Sequence, residues 1–122
     1  MDIVSYILQG LLGLAFLGAG FSKVTGAEAM VAGFRKWGLP QWFRVFTGLV
    51  EIVGAAGLVV GYWEPSWAAL ASLGLGVTMV VAVLVHVRAK DDMKATMPSI
   101  LLAILSFVLF AIQAGELANF PG

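Results

Sequence analysis

Gly48-Leu-Val-Glu-Ile-Val-Gly-Ala-Ala-Gly-Leu-Val-Val-Gly61 places one carboxylate, Glu51, near the middle of an apolar run from Trp42 to Tyr62, with glycines at 48, 54, 57 and 61. A bilayer core is crossed by a helix of roughly 20 residues, and this run meets that length. An ionisable group in such a run is costly in lipid, so Glu51 is the first residue to be asked for a function. Glycines at these positions let neighbouring helices approach closely.

Outward from that stretch the chain keeps the same character. Of its 122 residues, 61% are hydrophobic and only 11% are charged, where a soluble domain carries about a quarter charged residues. Mean hydropathy is +0.98. The composition describes an integral membrane protein with almost no soluble part. Four spans emerge, at about 3–24, 40–62, 66–87 and 97–114, within a single domain covering 1–122. Lipid cannot satisfy backbone hydrogen bonds, so each span reads as a helix and the fold class is an all-α membrane bundle. The N-terminal segment lacks a basic n-region and its apolar run is too long for an ordinary signal peptide, so it reads as a retained first helix.

The connections carry the remaining architecture. Tyr62-Trp-Glu-Pro-Ser-Trp67 reads as a tight turn, with Pro65 placed to open the third span. Residues 89–96 read as a short charged loop, and Pro98 as a marker of the fourth span's start. In the first loop Met30, Val31, Phe34 and Trp37 recur at helical spacing beside Arg35 and Lys36. This predicts a short amphipathic helix over 27–37 at the interface, a plain extended loop being the alternative. Gly38-Leu39-Pro40 ends it.

All seven basic residues flank the first and third loops: Lys23, Arg35, Lys36, Arg44, Arg88, Lys90 and Lys94. The positive-inside rule makes that end cytoplasmic and puts both termini outside, in a cell membrane of the bacterial inner-membrane kind. Tyr6, Tyr62, Trp63 and Trp67 would form the outer aromatic belt, and Trp37 and Trp42 the inner one.

Each span also has a polar face at 100° per residue. Ser5, Gln9, Gly20 and Lys23 share one, Thr47 and Glu51 a second, Ser72 and His86 a third, and Ser99, Ser106 and Gln113 a fourth. These faces should converge on the bundle interior, because polar atoms facing lipid would go unsatisfied. Gly57-x-x-x-Gly61 and Ala68-x-x-x-Ser72-x-x-x-Gly76 are small-residue patterns that serve packing within the monomer or a homodimer. Gly48, Gly54, Gly57, Gly61, Ser72 and Gly76 form the expected packing set.

Candidate chemistry is sparse. Glu51 either binds a ligand or proton, or forms a structural pair; its available cations are Lys23, Arg44 and His86. Lys23 taken alone reads as an interfacial anchor, and His86, the only histidine, as an interfacial polar residue. Lys23, Glu51, His86, Thr47 and Gln9 make up the candidate interior cluster, with no catalytic residue assigned. The lack of cysteine removes disulfides and thiolate metal sites, and one histidine makes a metal or bis-histidine haem site untenable. Zero net charge indicates no attraction to nucleic acid. No nucleotide loop, serine elbow or zinc motif occurs.

Gly-Leu-Ala-Phe-Leu-Gly-Ala-Gly-Phe-Ser-Lys-Val (13–24), Gly-Leu-Pro (38–40), Gly-Leu-Val-Glu-Ile-Val-Gly (48–54) and His86 closing the third span resemble the DoxX family over essentially the whole chain. The resemblance implies four spans with Lys23, Glu51 and His86 as the characteristic polar set. It also implies a role beside membrane redox enzymes or in assembling other membrane proteins. Three readings follow: a non-catalytic accessory or assembly component working with other membrane proteins in the lipid bilayer; a subunit holding a lipophilic ligand such as a quinone around Lys23, Glu51 and His86; and a small proton-coupled exporter using Glu51. No other cofactor is expected.

Overall fold

Three of the helix ends turn on a residue with positive φ, and these turns organise one pole of the molecule. The computed structural model describes residues 3–121 as α1 (Ile3–Thr25), α2 (Glu28–Lys36), α3 (Gln41–Val60), α4 (Pro65–Arg88) and α5 (Met93–Gln113), followed by a 3₁₀ helix over Ala114–Asn119. After α1, Gly26 has φ 76° and the Ala27 amide donates to the Ser22 carbonyl. After α2, Gly38 has φ 74°, and the amides of Gly38 and Leu39 donate to Arg35 and Phe34. After α4 the same pair of bonds runs from Lys90 and Asp91 to Val87 and His86, with Lys90 at φ 59°. This is the Schellman closure, which glycine makes without strain. Lys90 makes it with a Cβ in place, a conformation uncommon outside glycine.

Four of the helices, all except α2, are long and apolar enough to cross a membrane. The predicted interfacial helix is α2, one residue shorter at each end than the pattern suggested. Pro65 does open α4. The start of the last span is corrected. Asp92 caps α5, its side chain accepting from the Ala95 amide at 2.8 Å, so the helix begins at Met93 rather than near 97. Four of the residues read as loop are helical, and Pro98 lies inside the helix, where it removes one main-chain donor.

The helices pair as α1 on α3 and α4 on α5, with α3 and α4 joining the two pairs. In lipid such association depends on close packing rather than on expelling water, which is why small residues mark the seams. A Cβ on Gly20 would come within 2.7 Å of the Gly48 carbonyl, and one on Gly48 within 2.7 Å of the Gly20 carbonyl. On the other side of α3, Cβ atoms on Gly54, Gly57 and Gly61 would strike Leu75, Ala71 and Ala68 of α4. Gly76 receives Phe107 of α5 in the same way. These residues pack within the monomer. Leu12, Phe16, Leu58, Leu75, Met79 and Leu109 fill the centre, and Ser5, Ser72, Ser106 and Gln113 are buried with them.

Candidate functional site

The α1–α3 seam explains how a lysine reaches an acid inside the bundle. Gly20 and Gly48 touch; Lys23 lies one turn further along α1, and Glu51 one turn further along α3. Helical Cβ atoms tilt toward the helix N-terminus, so the Lys23 stem runs back into the bilayer along α3. It needs the space beside Gly48: a Cβ there would sit 2.8 Å from the Lys23 Cβ. The ammonium ends 2.8 Å from Glu51 Oε1, with side-chain exposures of 14% for Lys23 and 1% for Glu51. The second oxygen, Oε2, is buried with no hydrogen-bond partner among the described residues.

Glu51 lines a cavity of about 450 Å³, to which all five helices contribute. Phe34, Val50, Val85 and Leu102 are typical of its walls. Lys23, Thr47, Glu51, Thr78, His86 and Ser99 supply the few polar positions. The threonines are occupied: Thr47 donates to the Phe43 carbonyl and Thr78 to that of Gly74, each at 2.8 Å. A mostly apolar hollow with a few convergent polar groups is the usual form of a small-molecule site.

At the basic end Met30 and Phe34 of α2 line the cavity, and a single carboxylate fastens α2 to the rest. Asp91 accepts from Lys36 Nζ, from Trp37 Nε1 at 2.9 Å and from His86 Nδ1 at 2.6 Å. Arg88 adds a bond to the Trp37 carbonyl. The Trp37 and His86 rings meet edge-on at 5.0 Å, and Phe34, on α2, is buried. Bonds from Lys36, His86 and Trp37, in that order of effect, hold the Asp91 carboxyl well below the usual carboxylate range. An ionised carboxylate only accepts, so the proton shared with His86 sits on Nδ1. Among the described residues no three His, Cys, Asp or Glu side chains gather to hold a metal ion.

Comparison with known proteins fits this architecture. The model of the DoxX-like family matches residues 7–108. The chain belongs to the DoxX-like family. An uncharacterized Bacillus subtilis (strain 168) protein, YdgD, is 28% identical over 112 residues, covering 88% of this chain and 95% of the relative. No solved structure matches this chain.

Within this DoxX-like bundle the sequence-derived cluster divides. Lys23, Thr47, Glu51 and His86 line one cavity. Gln9 does not join them; it lies near the opposite pole, about 20 Å back along α1. There its Nε2 donates 2.7 Å to the Leu58 carbonyl, which the end of α3 leaves without a main-chain donor. Arg44, considered as a partner for Glu51, instead donates to the Lys23 carbonyl at the end of α1 and to Gln41. His86 bonds Asp91 rather than Glu51. Asp91 and Trp37 are the site residues that sequence reasoning passed over as loop charge and belt aromatic. Asp91 depends on the Lys90 turn, which no propensity favours.

Proposed function

We propose that this DoxX-like protein binds a lipophilic small molecule in the cavity between its helices, with the Lys23–Glu51 pair as the polar anchor. The observation that carries the reading is an apolar hollow of about 450 Å³ with a buried, half-satisfied carboxylate in its wall. An accessory protein working only through its lipid-facing surface has no need of such a hollow. An exporter needs a carboxyl free to change partners, whereas Glu51 is held 2.8 Å from Lys23. By the positive-inside rule we place α2 and the Asp91 fastening on the cytoplasmic side of a bacterial inner membrane, where α2 covers the cavity.

The test is extraction. Protein purified in mild detergent is extracted with organic solvent and the extract read by mass spectrometry, with quinones among the species sought. Wild-type protein should carry one lipophile near stoichiometric amount, and Ala82→Phe, which fills the cavity from α4, should lose it. Equal content in the two proteins, or none in either, would overturn the proposal.

A further inference from the structure

If the cavity is a ligand site, its unsatisfied atom states what the ligand must bring. The polar positions around the hollow are mostly spent. Thr47 and Thr78 donate to carbonyls of their own helices, and His86 Nδ1 to Asp91. Lys23 Nζ sits on Oε1 of Glu51. Oε2 has no donor among the described residues, although Glu51 is 1% exposed. Paired with the Lys23 ammonium at 2.8 Å, the Glu51 carboxylate has about four lone-pair positions and no hydrogen to give, so its vacancy is for a donor. Buried polar groups in folded proteins are almost always satisfied, which makes the unmet acceptor the informative one.

Charge narrows the donor further. Lys23 already balances Glu51, so a cationic head would leave a net positive charge in an apolar hollow, and an anionic head would face the carboxylate itself. We infer that the ligand carries a neutral hydroxyl on an apolar body, and that Oε2 of Glu51 accepts the hydroxyl hydrogen. The hydroxyl oxygen is then free to accept from the Lys23 ammonium, which keeps donors in excess of its one carboxylate contact. The body lies against Phe34, Val50, Val85 and Leu102, where carbon meets carbon. For a ring compound with oxidised dione and reduced diol forms, the same rule selects the diol, because the dione has no hydrogen to donate.

The inference rests on the cavity reading, and one experiment separates the two. The full chain in lipid nanodiscs is titrated with 4-nonylphenol and with its methyl ether, 4-nonylanisole, which keeps the body and removes the donor. Binding is followed by calorimetry against empty nanodiscs. Wild-type protein should bind the phenol at least about tenfold more tightly than the ether, the factor that 1.4 kcal/mol represents. Glu51→Gln should shrink that preference to within about threefold. Equal wild-type affinities for the two probes would overturn the hydroxyl assignment and leave the cavity standing, with trapped water as the occupant of Oε2. Saturable binding of neither probe would overturn both readings. The wild-type comparison requires no variant, so a poorly folding Glu51→Gln does not rescue the inference.

Discussion

Removing each member of the Lys23–Glu51 pair should have unequal consequences, because only one of them can escape. Lys23 lies in the last turn of α1, is 14% exposed and has a long stem, so in Glu51→Leu its ammonium swings to the basic interface and is rehydrated. That variant should lie within about 1 kcal/mol of wild type, as substitutions without a stranded group do. Glu51 is 1% exposed on a short side chain in mid-helix and has no route to water. Lys23→Leu strands it, and breaking a buried pair in this way costs about 3–5 kcal/mol. In the double variant both charges are gone and two leucines fill the seam, which is typically neutral or stabilising by about 1–4 kcal/mol. The single effects should therefore exceed the double effect by about 3 kcal/mol or more, a coupling large enough to resolve in a double-mutant cycle. Reversible unfolding in mixed micelles, followed by circular dichroism, supplies the four free energies. An additive cycle, or Glu51→Leu proving worse than Lys23→Leu, would refute the argument.

Four further outcomes follow from particular positions. Gly48→Ala, whose Cβ would meet the Gly20 carbonyl at 2.7 Å and the Lys23 Cβ at 2.8 Å, should cost about 1–3 kcal/mol by overpacking. Gly74→Ala, with nothing within 4 Å, should instead gain up to about 1 kcal/mol from helix propensity in the same melting assay. Asp92→Ala removes the α5 cap and should cost about 1 kcal/mol, with hydrogen exchange quickening first at the amide of Ala95. Asp91→Asn should loosen α2, read as faster proteolysis between residues 26 and 40. Because the folded Asp91 carboxyl titrates below its unfolded value, its stabilisation is present above about pH 4 and is lost as the pH falls toward the folded value. The stability gap between wild type and Asp91→Asn should accordingly narrow on acidification from pH 5; a gap that widens would refute the assignment.

How far these features were legible depends on the range of the physics behind them. The spans, the interfacial α2 and the opening of α4 at Pro65 follow from local rules of length, periodicity and fixed φ, and the sequence shows them directly. The start of α5 misled because Pro98 is a loud signal and Asp92 a quiet one. The Asp92 side chain caps the first turn and starts the helix five residues before Pro98, which costs one main-chain donor. The cluster was legible as faces and not as depths. Gln9 shares a helix face with Lys23, but angular position says nothing about height in the membrane, and the two serve opposite ends of α1. Asp91 was illegible for a different reason. Its place is set by a lysine in a left-handed conformation and by partners more than fifty residues away at the end of α2.

The glycines beside Glu51 first read as packing surface, and the structure shows why packing and binding cannot be separated there. Gly48 has no Cβ, which brings α1 and α3 into contact at Gly20 and, in the same space, lets the Lys23 stem pass. The ammonium so delivered meets one oxygen of Glu51 and leaves the other, on a side chain that lines the cavity, without a partner among the described residues. A larger residue at 48 would part the helices and, by the same displacement, draw the cation away from the acid. A pure packing glycine predicts loss of stability alone, whereas this geometry predicts loss of stability together with loss of hydroxyl preference. Gly61, which packs as tightly against Ala68 at the other end of α3, separates the cases. Substituting it should lower stability and leave the preference between phenol and ether untouched.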